Sequence, residues 1–181
     1  MSAAVVAQHA TRVTAWRHAR AIAMLPIVNT VLIPGAWLAL WPVPLPSLTP
    51  VAALAATLCA AALIAAGATL VVHSIRLFVR FGHGTLAPWD PTRELVSAGA
   101  YRYVRNPMKA GLFLVLAGEA VLTRSPALAV WFACFVVANL LYIRWHEEPG
   151  LVRRFGDRYR DYCARVPRWW PVLYGARPEN R

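Results

Sequence analysis

From residue 21 to residue 72 the chain carries no charged side chain, a run of 52 positions. One buried helix of a soluble domain does not need that length, and Pro42, Pro44, Pro46 and Pro50 divide the run. The segment 41–50 is read as non-helical, because each proline removes a backbone donor and clashes with the preceding turn. Apolar stretches of roughly 20 and 25 residues flank it. At ~1.5 Å rise per residue, each is long enough for a hydrocarbon core of ~30 Å. The pattern predicts one span over 21–40 and a second over 51–75. Pro26 and Pro34 predict kinks in the first, which a membrane helix tolerates when its neighbours satisfy the freed carbonyls. The first stretch exceeds the usual ~7–15 apolar residues of a signal peptide, and no clear small-x-small site follows it before the prolines. It is therefore read as a retained span.

Beyond residue 75 the composition changes. Arg76, Arg80, Asp90, Arg93, Glu94, Arg102 and Arg105 fall in a polar connection punctuated by Gly82, Gly84, Pro88, Pro91 and Gly99. Residues 108–122 are apolar again, with Lys109 at the start and Glu119 inside. A break at 123–126 precedes a further apolar stretch over 127–143, and the two read as a closely packed helical hairpin. The small-residue run 60–68 in the second span reads as a helix-packing face.

The chain is 59% hydrophobic and 15% charged, yet its net charge is +11. A disordered basic tail would be poor in apolar residues. Three cysteines in 181 residues do not make a disulfide scaffold. The charge sorts by position: three arginines in the first 20 residues, five in the central connection and nine from Arg144 onward. By the positive-inside bias, these three regions are cytoplasmic, which two pairs of spans satisfy. The basic charge thus reads as topology and attraction to anionic lipid, not as a nucleic-acid surface. The fold expected is an all-α integral membrane protein, with about four transmembrane helices, both termini cytoplasmic, and a C-terminal cytoplasmic amphipathic helix.

Two polar and aromatic clusters stand at the cytoplasmic face. In the first, LVSAGAYRYVRNPMKAG, Gly99 permits a turn and Tyr101, Arg102, Tyr103 and Arg105 follow. Asn106 and Pro107 then open the third span, Pro107 in the first turn and Asn106 as cap. Unpaired amides at a helix start beside two arginines suit an anion, although Tyr and Arg also anchor helix ends in an interfacial belt. In the second cluster, the fourth span is expected to continue as helix through Trp145 to Glu148, where Glu147 and Glu148 leave it, and Pro149-Gly150 permits a bend. A helix with Leu151, Phe155, Tyr159 and Tyr162 on one face follows, rich in arginine, as expected of one lying on the membrane interface. Membrane association explains that helix; it does not explain two adjacent acids in a chain that has eight. Acids against a basic background are candidates for holding a cation.

The residues GTLAPWDPTRELVSAGAYRYVRNPM, followed after the hairpin by EEPGLVRRFGDRYRDYCARVPRWWP, resemble the isoprenylcysteine carboxyl methyltransferase family, to which phospholipid N-methyltransferases are related. The resemblance covers about half the chain, roughly residues 84–171. It implies a two-span region over 1–80 and a methyltransferase core over 81–181. It further implies an integral membrane enzyme using S-adenosylmethionine, no metal, and a lipid or lipophilic small molecule as acceptor. The family motif usually reads R-H-P-x-Y; here Asn106 replaces the histidine and Lys109 the aromatic. Tyr101, Arg105, Asn106, Glu147 and Glu148 match motif positions, and Pro107, Met108, Tyr142 and His146 complete the implied cofactor site. Arg105, Glu148 and His146 are the implied catalytic residues.

The chemistry of these side chains agrees with that implication. Arg105 and the helix-start amides suit the cofactor's carboxylate, and Glu147 or Glu148 its ammonium. Trp145, Tyr142 or Tyr101 suit its sulfonium or adenine ring. His146 is the one histidine placed to act as a base, which an amine acceptor requires and a carboxylate does not. Glu119 reads either as an ion pair or hydrogen bond to Arg124 or Asn139, or as a substrate contact. Two other functions stay open at this point: a non-catalytic membrane protein whose basic tail binds lipid or a partner, and a related membrane reductase that binds a nicotinamide nucleotide.

Overall fold

The computed structural model describes residues 23–41, 47–81 and 94–171, and these form helices with no β-strand among them. The arginines of the amino-terminal flank, the prolines at 42, 44 and 46, and the glycines at 82 and 84 lie outside the described residues.

Helix α1 has two parts, a π-helical stretch Ala23–Leu32 with Pro26 inside it and an α-helix Ile33–Leu40 with Pro34 in its first turn. The wider π turn accommodates a residue that cannot donate, and Thr30 Oγ1 donates to the Pro26 carbonyl at 2.7 Å. Helix α2, Pro50–Phe81, is 32 residues long and runs past the expected end at residue 75. No glycine or proline interrupts the sequence between 68 and 81, and Leu77 packs with Val96 and Tyr101 in a buried cluster joined by Phe78. Tertiary packing therefore carries the helix through Arg76 and Arg80.

Helix α3, Pro107–Thr123, and α4, Pro126–Tyr142, form the hairpin. The break between them has a local cause. Arg124 adopts a left-handed conformation (φ 50°), and Ser125 caps α4 by accepting from Leu128 N. The most extensive packing between elements is α2 on α3. It depends on missing side chains: a Cβ on Gly67 would lie 2.5 Å from the Gly111 carbonyl oxygen, and one on Gly111 2.7 Å from that of Gly67. Ala60, fully buried, continues the same face, where a Cβ on Gly118 would lie 2.9 Å from the Ala60 oxygen. The small-residue run 60–68 thus brings two backbones into van der Waals contact.

The helix continues through Trp145 to Glu148 as expected, and the bend that Pro149-Gly150 permits does not form. A π turn, Ile143–Glu147, closed by Glu148 N on the Ile143 carbonyl, leads directly into helix α5, Glu148–Phe155. Pro149 thus stands in the first turn of α5, where its missing N–H is tolerated, and the chain passes the proline without bending away. The break falls instead at Gly156 (φ 56°), after which helix α6 runs over Asp157–Arg165. The single amphipathic helix expected is therefore two. Their apolar stripe faces inward: Tyr159, Tyr162 and Val166 are buried, with Leu95, Leu151, Val152, Phe155 and Cys163 packed on them.

Two helical stretches are long and apolar enough to cross a membrane, Pro50–Phe78 and Pro126–Phe155, and only 11% of each apolar window is buried within the protein. Val51, Leu54, Leu58, Val130 and Val137 are among the apolar side chains left exposed. Soluble core helices bury such faces, so this surface fits lipid. The stretch Pro26–Leu40 is apolar but shorter, and α3 has 17 residues.

Candidate active site

A cavity of about 710 Å³ opens where the segment before α3 meets the π turn and the two tail helices. That volume lies within the ~300–1,000 Å³ of small-molecule pockets. Of the nine residues expected at the site, eight line it: Tyr101, Arg105, Asn106, Met108, Tyr142, His146, Glu147 and Glu148. Pro107 does not; it is fully buried at the first position of α3, where its fixed φ starts the helix.

The charged end of the cavity is organised around Glu148. Its Oε1 accepts from Arg105 Nη1 and Arg168 Nε, each at 2.9 Å, and its Oε2 from Arg168 Nη2 at 2.6 Å. Arg105 Nη1 also donates to Cys163 Sγ at 2.8 Å, while Arg105 Nε is buried and has no hydrogen-bond partner. The backbone reinforces the same closure, with Arg105 N bonded to the Pro167 carbonyl at 2.9 Å. Phe113 meets Trp169 with ring centroids 5.5 Å apart. The tail is thus strapped over the start of α3.

Glu147 has a different partner. Its carboxylate pairs with the Lys109 ammonium, which also lies 5.1 Å from the centroid of the Tyr142 ring. His146 stacks on the same ring, its centroid 5.7 Å from that of Tyr142. Asn106 corrects one expectation: it occupies the cap position of α3, yet its side chain makes no cap bond and instead donates to the Arg168 carbonyl at 3.4 Å. Trp145, considered for the sulfonium or ring, is exposed and does not line the cavity.

Three phenols complete the wall. Tyr101 is buried against Phe78 in an edge-to-face contact, and Tyr162 donates to the Tyr101 carbonyl at 2.7 Å. Burial pushes the hydroxyls of Tyr101, Tyr159 and Tyr162 above the ordinary phenol range, and the Arg105 charge partly offsets this at Tyr162. All three remain neutral donors at physiological pH.

The sequence did not indicate Arg168, whose bond to Glu148 depends on turns at Gly156 and beyond α6 that bring the tail back. Tyr159 and Tyr162 were visible as a helical stripe, but the stripe fits a lipid-facing surface equally well. Asn29 of α1 and Asn139 of α4 also line the cavity, and neither carried a motif. Glu119 does not line it; its Oε2 is buried without a hydrogen-bond partner, and the Asn139 amide donates to the Phe135 carbonyl instead.

An aromatic and ion-paired cavity roofed by a tail, on helices with lipid-compatible flanks, is a candidate small-molecule site assembled from two distant motifs. Comparison with known proteins gives the family. The chain belongs to the phospholipid methyltransferase family, whose model matches residues 55–158. It is similar to the protein-S-isoprenylcysteine O-methyltransferase of Mus musculus, 31% identical over 99 residues, which is 55% of this chain and 35% of the relative. It is also similar to methanethiol S-methyltransferase 2 of Bradyrhizobium diazoefficiens, 34% identical over 80 residues, 42% of this chain and 29% of the relative. The chain spans about a third of the length of these relatives. No solved structure matches it.

Proposed function

We propose that this chain is an S-adenosylmethionine-dependent methyltransferase that acts on a lipophilic acceptor at the cytoplasmic face of a membrane. The observation that carries the reading is the cavity in which Arg105, from one motif, and Glu147 and Glu148, from the other, stand together. Family membership supports it, as do relatives named for methyl transfer to isoprenylcysteine and to methanethiol.

The residues present fit the cofactor. It carries a carboxylate and an ammonium, and the buried, unpartnered Arg105 Nε is a donor for the first. Glu148 is committed to two guanidiniums, so Glu147, with one partner, is the carboxylate for the second. Glu148 then acts as a positioning residue that holds Arg105 in place. S-adenosylmethionine supplies a methyl group on a sulfonium, already activated toward in-line displacement. The protein therefore aligns the acceptor and excludes water. The buried tyrosines and the Phe113–Trp169 contact of the tail serve the second task. His146 would take a proton only from an amine acceptor.

In this reading the arginine-rich regions are cytoplasmic and four helices cross the bilayer. Helix α2 and the continuous helical stretch Pro126–Phe155, which α4 begins, are long enough for full-length spans. Helices α1 and α3 are shorter, with α3 rising ~26 Å and held against α2 by its glycines. The experiment is binding of labelled S-adenosylmethionine to the detergent-solubilised chain. Wild type binds, and Glu147→Gln and Arg105→Ala each weaken binding about tenfold or more, as expected for loss of a charged partner. Absence of binding to wild type overturns the function; unchanged binding in both variants overturns the site.

A further inference from the structure

The charged groups of the cavity are not spread evenly. Along α3 the lining residues run Asn106, Met108, Lys109, Leu112; along the hairpin's second arm they run Phe135, Ala138, Asn139, Tyr142, His146, Glu147. Lys109 is the last charged group before the lining turns apolar. Its side chain is only 14% exposed, and it is fixed from two sides by the Glu147 carboxylate and the Tyr142 ring.

We infer that Lys109 is a specificity-determining residue that selects an anionic methyl acceptor on an apolar chain, a carboxylate or thiolate, and rejects a protonated amine. The inference rests on the methyl-transfer reading for the word acceptor, and on the geometry for the selection. An acceptor whose chain lies among Leu112, Phe135 and Ala138 presents its head group at the level of Lys109. There an anion meets an ammonium with few waters to screen it, and an alkylammonium meets a like charge.

The charge of the whole cavity acts in the same direction. Arg105, Lys109 and Arg154 line it against Glu147 and Glu148, and Arg168 adds a second guanidinium to Glu148. A methyl donor that carries a sulfonium, an ammonium and a carboxylate adds net positive charge. Glu147 is the shared partner: an ammonium seated on it releases Lys109 toward the acceptor. The transfer then balances simply. The acceptor's lone pair forms the bond to the methyl carbon, the carbon–sulfur bond breaks with its electrons on sulfur, and an anionic acceptor becomes neutral with no proton to remove. A protonated amine would first have to lose a proton.

The test uses the full chain in nonionic detergent at neutral pH, with the demethylated donor S-adenosylhomocysteine at saturation so that its ammonium occupies Glu147. Dissociation constants for dodecanoate, dodecanethiol and dodecylamine are read by intrinsic tryptophan fluorescence. Wild type and Lys109→Arg bind dodecanoate at least tenfold more tightly than dodecylamine, and Lys109→Met brings the two within threefold. Dodecanethiol tightening toward dodecanoate as pH rises from 7 to 9 assigns the thiolate as well; no tightening restricts the anion to carboxylate and overturns the thiolate half. Equal or amine-favouring binding by wild type overturns the inference even if Lys109→Met does not fold. A tenfold preference retained in Lys109→Met overturns it too. Binding of S-adenosylhomocysteine is titrated first: its absence overturns the methyl-transfer reading, whereas its presence with no anion preference overturns this inference alone.

Discussion

Replacing Glu148 by Gln removes one charge and almost no volume, and its cost follows from three contacts. The carboxylate accepts from Arg105 once and from Arg168 twice, between 2.6 and 2.9 Å. Hydrogen bonds to charged groups contribute ~1.5–3 kcal/mol each where water is excluded, and neutral ones ~1. Exposed ion pairs contribute ~0–1 kcal/mol, whereas breaking a buried one costs ~3–5. Glu148 and Arg105 are nearly buried and Arg168 is 31% exposed, so the pair lies between those limits. The glutamine carbonyl still accepts at the Oε1 position, but its amide turns a donor toward Arg168 Nη2. A net loss of ~2–3 kcal/mol is expected, about 5–10 °C in Tm for a chain of this length. Thermal unfolding in detergent measures it, and a cycle with Arg168→Gln should give a coupling of ~1–2 kcal/mol. A Tm within about 1 °C of wild type, or losses that add to within ~0.5 kcal/mol, would refute the claim that Glu148 straps the tail over α3.

Gly111→Ala should destabilise by ~1–2 kcal/mol, because its Cβ meets the Gly67 carbonyl at 2.7 Å and Val71 N at 3.1 Å, and a backbone cannot step aside. Gly35→Ala, with nothing within 4 Å, should gain up to ~1 kcal/mol of helix preference; equal Tm shifts in the two variants would contradict the close approach of α2 and α3. At alkaline pH the three raised phenols set the sign. Their protonated forms are favoured in the folded state, so the stability they contribute is complete below the unfolded value of ~10 and is lost as pH rises above it. Tyr162→Phe should cost ~1 kcal/mol at pH 8 through the lost bond to the Tyr101 carbonyl and should make the decline between pH 10 and 11.5 shallower; an unchanged slope in denaturant titrations would count against it.

Several elements could be read directly because their causes are local. Pro107 starts α3, the 123–126 break ends it, and the small residues of 60–68 mark the face on which it packs. The bend permitted at Pro149-Gly150 is absent for a physical reason. A proline is tolerated in the first turn of a helix, and the π turn that ends at Glu147 places Pro149 there, at the start of α5. The same limit applies to Asn106, where residue type and position are right for a cap but the carbonyl of Arg168, 62 residues away, captures the amide. The tail stripe of Leu151, Phe155, Tyr159 and Tyr162 had the right period and an undetermined destination. Periodicity says that a face is apolar; it does not say whether lipid or protein covers it.

What the sequence determined by itself is the medium and the inventory. Apolar runs without charge, arginines gathered outside them and two acidic residues set against that background are properties of composition along a line, and they need no folding to be read. Which partner each acid meets was decided only by the tertiary structure. Glu147 and Glu148 are neighbours in the chain with the same side chain, yet one faces Lys109, 38 residues away, and the other is clasped by Arg105, 43 residues away, and by Arg168. Adjacent residues on a helical turn point about 100° apart, so the two carboxylates meet different walls of the cavity. Those walls come from segments that only the folded chain brings together.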